Sequence, residues 1–228
     1  MTLRAGLFVC RASIFFIALG FEAEAWADEH KPHPYAPILQ PIVSTPESIE
    51  VTSEETKLLD LNKTVVRQSK DGQAGSGIAV QDIDAPSEYV WKVILSHNRY
   101  SEWVKNIDRC HVYKKEGRLW YIDMLTSFLW VKSQLYMVHR IQQPMGYISW
   151  SLDRTRTSDL KDVTGYWKIY AVEGKKNRTR LEYGSQIVAG GVPDFVIEFL
   201  THDSLVDGTQ WVKSQSEAAW QRSKSASK

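Results

Sequence analysis

The sequence predicts an α+β domain: an antiparallel sheet of about six to eight strands with its helices gathered on one face. Three observations support this. An alternating strand, Ala79 to Ile83, runs straight into Ala85-Pro86 and an amphipathic helix. Six further β-rich segments follow, joined by short separators, and a long helical stretch closes the chain. Strands joined by short turns pair antiparallel, whereas parallel neighbours need a crossover of a dozen or more residues. Helices segregated from a run of strands then pack on one face of the sheet.

In chain order, the first segment reads as a targeting signal. Arg4 and Arg11 supply positive charge, Ala12 to Phe21 is a ten-residue apolar run, and Ala25-Trp26-Ala27 precedes Asp28. That order predicts a secretory signal peptide over residues 1–27, cut between Ala27 and Asp28. Ten apolar residues are too few for a spanning helix, which takes about 20. The rival is an uncleaved anchor beginning near Leu7, interrupted by the charge of Arg11. A periplasmic or secreted protein with no stable membrane span is expected. Cleavage removes Cys10 and leaves Cys110 alone, so no intrachain disulfide staples the domain. Cys110 lies in a strand-like alternation and reads as a small buried residue rather than a nucleophile.

Residues 28–50 form a Pro-rich extended linker, expected to be mobile, with five prolines between Asp28 and Pro46. The folded domain is placed at 51–222, with a disordered tail over 223–228. Thr52-x-x-Glu55 predicts a capped short helix to Leu61. Thr64 to Gln68 and Gly77 to Ile83 read as strands. Pro86 lacks an N–H for a strand but suits the first turn of a helix. Glu88 then sits where the helix dipole favours a carboxylate. Val90, Trp91, Ile94 and Leu95 form the stripe that this helix must bury.

Next come His111 to Lys115, Leu119 to Thr126, Val131 to Gln142, Tyr147 to Asp153, Thr164 to Val172 and Thr179 to Ala189. Glu116-Gly117, Pro144-Met145-Gly146, a polar stretch and Glu173-Gly174 separate them. Pro193 opens the last helix, expected to reach about Trp220 with Val196, Phe199, Leu200, Val206, Gln210 and Trp211 near one face. A bend is expected at Asp207-Gly208, since Gly costs about 1 kcal/mol in a helix interior.

These residues resemble the START-like (SRPBCC, helix-grip) superfamily, in its polyketide cyclase/dehydrase and coenzyme-Q-binding branch. The resemblance rests on Ile83-Asp84-Ala85-Pro86 with Val90-Trp91, then Tyr100-Ser101-Glu102-Trp103 with Val104. Gly165-Tyr166-Trp167, Thr179-Arg180-Leu181-Glu182-Tyr183 and Gly191-Val192-Pro193 complete it, over about residues 62–221. It implies a helix-grip fold, in which a curved sheet wraps a long C-terminal helix and encloses a hydrophobic tunnel.

Alternation identifies the side chains that would face such a tunnel. With Asp123 toward solvent, Trp120, Ile122, Met124 and Thr126 turn inward. Lys132, Gln134 and Arg140 outward place Leu135, Met137, His139 and Ile141 inward. The same rule turns Ile148, Trp150 and Leu152 in, then Gly165, Trp167 and Ile169, then Leu181, Tyr183, Ser185 and Ile187. The cavity-lining candidates are therefore Trp91, Trp120, Ile122, Met124, Met137, His139, Trp150, Trp167, Tyr183, Ser185 and Phe199. Taken singly, each aromatic is better explained by a solid core. As a set with inward His139, Thr126, Tyr183 and Ser185, they fit a small-molecule site better, because a dry core would leave those polar groups needing partners.

Composition narrows the function. The net charge is +1 and no basic block stands out, which argues against nucleic acid. Nine Trp, ten Tyr and seven Phe suit a large core or an apolar pocket. No nucleophile triad, phosphate loop, metal-ligand cluster or pair of inward carboxylates appears, so no catalytic residue, metal or cofactor is assigned. Export further separates the chain from polyketide chemistry, whose substrates ride on cytoplasmic carriers. The leading expectation is an exported monomeric carrier of a hydrophobic, lipid-like molecule. A cyclase- or dehydratase-like enzyme is the alternative. A protein-interaction module using the Pro-rich arm, Tyr147 and Tyr170 is the third.

Overall fold

A computed structural model describes residues 27–72, 74–190 and 203–226. Eight strands form one antiparallel sheet among the described residues, and the chain enters it at one edge. Helix α1 (Ser53–Asp60) leads into β1 (Val65–Asp71) and β2 (Ala74–Ile83), a hairpin whose strands extend to a tight turn beyond the predicted limits. Helix α2 (Ser87–Ile94), a short 3-10 turn (His97–Arg99) and α3 (Tyr100–Trp103) then carry the chain to the far edge. From there β3 (Ile107–Glu116), β4 (Leu119–Phe128), β5 (Val131–Gln142), β6 (Tyr147–Leu152), β7 (Asp162–Ala171) and β8 (Thr179–Val188) return as a meander. Strand β8 pairs with β2, giving the order β1-β2-β8-β7-β6-β5-β4-β3. The last helix, α4, runs from Asp203 to Ala226 and packs on β2, β8 and α2.

Local chemistry explains most of these boundaries. The Thr52 hydroxyl accepts from the Glu55 amide, and the Glu55 carboxylate accepts from the Thr52 amide, closing the capping box. Pro86 stands one position earlier than expected, as the N-cap of α2 with φ −60° and ψ 149°. The strand-to-helix junction is tied on both sides. Thr179 Oγ1 on β8 donates to the Ala85 carbonyl at 2.7 Å, and the Asp84 amide donates to Glu217 of α4 at 2.8 Å. Register shifts put two bulges into the edge strand β3, near Asp108 and Tyr113.

Helix α4 buries Leu205, Thr209, Val212 and Ser216, an i, i+4, i+7, i+11 face, together with Trp211. Leu205 reaches the sheet because β2 offers it a glycine. A Cβ on Gly77 would lie 2.3 Å from Leu205 Cδ1. The expected face of this helix is corrected, since Val206 is only half-buried. The helix runs through Gly208 and on into residues placed in the tail. No Gly or Pro stops it there, and the Ser223 and Ser225 hydroxyls bond back to the carbonyls of Trp220 and Gln221. Gly191-Val192-Pro193 and the first turns of the predicted helix lie outside the described residues.

The linker is extended but fastened down. It crosses the outer face of the sheet, with an isolated bridge between Asp28 and Thr157 at one end. Both the Ile38 and Leu39 amides donate to Asp162 Oδ2, at 2.7 and 2.8 Å. The Ser149 hydroxyl donates to the Ile42 carbonyl at 2.6 Å, and Lys168 Nζ to that of Pro46 at 2.7 Å. Prolines need no amide partners, and their fixed φ keeps such a strap extended at little entropic cost. Two outward assignments change accordingly. Glu182 points away from the helix as alternation requires, yet it is fully buried beneath the strap, accepting from the Ile49 amide at 3.0 Å. Asp123 is also buried, against Arg109 and Gln134. Tyr147 is covered as well, its hydroxyl facing the Val43 carbonyl, and the Tyr170 hydroxyl donates to Glu182.

Candidate functional site

A cavity of about 230 Å³ lies between the concave face of the sheet and α4. One water needs ~10–15 Å³ on this kind of measure, so the space is far larger than a packing flaw. Strand β5 contributes Leu135, Met137 and His139 to its wall, and β4 contributes Met124 and Thr126. Trp150 of β6, then Val163 and Trp167 of β7, continue the wall to Tyr183, Ser185 and Ile187 of β8. Gly208 and Trp211 of α4 close the other side. Charge is confined to the rim, where Lys105 and Asp207 are exposed beside Asn106 and Ser127.

The aromatic wall is a packed unit. Trp150 and Tyr183 stack with centroids 5.6 Å apart, and Trp167 meets Tyr183 at 4.4 Å. Trp150 lies close over the sheet because Gly165 has no side chain: a Cβ there would sit 2.4 Å from Trp150 Cζ2. Such aromatic pairs contribute about 0.5–1.5 kcal/mol each beyond burial, enough to hold the wall open and shaped.

Seven of the predicted lining residues thus come together: Met124, Met137, His139, Trp150, Trp167, Tyr183 and Ser185. Three others lie elsewhere. Trp91 is buried in the core beneath α2, and Ile122 is fully buried in that core. Trp120 packs on His97 at 5.7 Å, with the Lys115 ammonium 3.5 Å from its ring. Both β4 residues are on the face that alternation assigned them. Their end of the strand meets the segment after α2, which fills the space there. Phe199 lies outside the described residues. Tyr100, Val104, Leu160, Val163 and Trp211 line the cavity without having been selected. Most come from helices and loops, where a period of two gives no signal.

His97 is the main residue that sequence reasoning missed. It is buried behind the wall, and its Nε2 lies 3.1 Å from His139 Nδ1. Its own Nδ1 lies 3.2 Å from the Leu95 carbonyl. Burial pushes His97 down to about 4, and the Lys115 ammonium adds a smaller push the same way. Burial first, and then His97, hold His139 well below the usual imidazole range. Both rings are therefore neutral at pH 7. Burial pushes the Cys110 thiol up to about 12, so it stays protonated, as a small core residue does. Burial also keeps the Tyr100 and Tyr183 hydroxyls protonated.

No protein-family model and no curated protein matches the sequence. Solved structures match in shape. A START superfamily protein from Mycobacterium smegmatis superposes with a TM-score of 0.54 at 14% identity, over 63% of this chain and 98% of that one. A STAR-related lipid transfer protein from Xanthomonas axonopodis gives 0.53 at 12% identity, over 68% and 92%. This chain has the START-like helix-grip fold. The di-domain ARO/CYC StfQ from the steffimycin biosynthetic pathway also matches, with a TM-score of 0.51 at 12% identity, over 64% of this chain and 52% of that one.

Proposed function

We propose that the protein is an exported binder or carrier of a hydrophobic, lipid-like small molecule held in the cavity between the sheet and α4. One observation carries this reading: a cavity of about 230 Å³ walled mainly by Trp, Met, Leu, Val and Ile, with its charges at the rim. Burying apolar ligand surface there returns roughly 25 cal/mol per Å², which favours a hydrophobic guest over water. The likeness to a STAR-related lipid transfer protein supports the same class of ligand. The Arg-flanked apolar run before Ala25-Trp26-Ala27 supports export. Apolar molecules cross an aqueous compartment poorly unless shielded, and an apolar site between sheet and helix supplies a shield.

The His97–His139 pair favours a second reading, a cyclase- or dehydratase-like enzyme with His139 as base. It ranks second because a general base works best with a pKa near the operating pH, and burial holds both rings below it. Native mass spectrometry with lipid extraction separates the two. Protein purified from its own host should carry a stoichiometric hydrophobic molecule unchanged in mass by incubation. Empty protein that turns over a candidate substrate, and loses this in His139→Ala, would replace the carrier reading by the enzyme.

A further inference from the structure

The geometry points to the Nε2 atom of His139 as a hydrogen-bond acceptor built into the apolar wall, selecting a hydrophobic ligand that carries a hydroxyl. This rests on the reading of the cavity as a ligand site and names the polar group that ligand must bear.

The direction of each hydrogen bond follows from the partners. The Leu95 carbonyl can only accept, so His97 Nδ1 carries the proton of that contact. A neutral imidazole has one N–H, which leaves His97 Nε2 as an acceptor. His139 Nδ1, 3.1 Å away, must therefore donate to it. That uses the only proton of a neutral His139 and leaves Nε2 as a bare lone pair. His139 is 5% exposed and lines the cavity, and among the described residues its ring bonds through Nδ1 and not Nε2. Nearby hydroxyls are engaged: Tyr100 donates to the Ile94 carbonyl and Thr126 to that of Ser133.

That lone pair opens on the cavity, where only a donor can meet it. A ligand O–H supplies one, whereas a carbonyl, an ether or a carboxylate presents another acceptor and does not. The pair thus works as a fixed-polarity relay. The Leu95 carbonyl orients His97, His97 orients His139, and His139 accepts from the guest. Sequence separation of 42 residues between the two rings makes this a product of the fold.

Isothermal titration calorimetry at pH 7 with three matched probes, 2-naphthol, 2-methoxynaphthalene and naphthalene, tests the assignment. The wild-type protein should bind 2-naphthol about tenfold more tightly than either other probe, the ratio that one hydrogen bond to a buried acceptor supplies. His139→Phe should lose the preference for 2-naphthol over naphthalene, whatever its absolute affinity for either. Equal affinities for the three, or a preference kept in His139→Phe, would overturn the acceptor role while leaving the cavity reading intact. Failure of all three to bind would overturn the cavity reading itself. Imidazole 15N spectra of the wild type need no variant. At pH 7 His139 Nε2 should resonate as an unprotonated nitrogen and shift on adding 2-naphthol but not naphthalene. An Nε2 that is protonated, or unmoved by 2-naphthol, refutes the proposal.

Discussion

His97 and His139 give the fold a specific acid sensitivity. An unfolded chain protonates an imidazole near 6.5, and the fold protonates His97 only near 4. Between these values the unfolded state binds more protons than the folded one. The stability contributed by the neutral pair is present above about pH 6.5 and is lost as pH falls toward 4. The slope is at most about 1.4 kcal/mol per pH unit for each histidine. Urea unfolding at pH 7 and pH 5 should show the wild type losing more stability than the His97→Asn/His139→Asn double variant. Parallel losses would mean the rings titrate alike in both states. At this scale the sequence revealed His139, because alternation in β5 turns it inward. It concealed His97, a single polar residue just past a helix end, with no period to mark its side. Nothing local announces that a loop histidine will meet a strand residue 42 positions on.

Elements were legible where local chemistry decides them. The capping box fixed α1, and β5 has the bounds expected of it, Val131–Gln142. Alternation assigned faces correctly at Glu182 and Asp123 but could not say what covers a face, and the strap and Arg109 cover these two. The strap itself is testable. Asp162 is 2% exposed, accepts from two strap amides and pairs with Arg154 at 2.6 Å. Asp162→Ala should cost about 3–5 kcal/mol, as loss of one partner from a buried pair does. It should also expose the segment around Ile38 to limited proteolysis, and an uncut strap would show that its other contacts suffice. The contact between β2 and α4 gives a second test. Gly77→Ala should destabilise by about 1–3 kcal/mol through overpacking. Combined with Leu205→Ala, itself worth roughly 2–5 kcal/mol, the pair should cost less than the sum, because the clash goes with the leucine. Strict additivity in urea unfolding would place Leu205 away from Gly77.

At the scale of the molecule, the meander and the late return of β8 to β2 bend eight strands around one helix and leave an apolar space beneath it. The sequence foretold the sheet, the helix and the inward residues. It could not divide those residues between core and cavity, because the same stripe of Trp, Met and Ile serves both. Distance from the plug formed by α2 and α3 decides the matter, and that is a property of three dimensions. Ser185, inward on β8 and part of the wall, offers the most direct test. Titration with a hydrophobic probe such as naphthalene should show one site per chain in the wild type. Ser185→Phe, which fills the cavity, should abolish that site with the cooperative unfolding transition retained. Undiminished binding by a folded Ser185→Phe protein would place the ligand elsewhere and contradict the account.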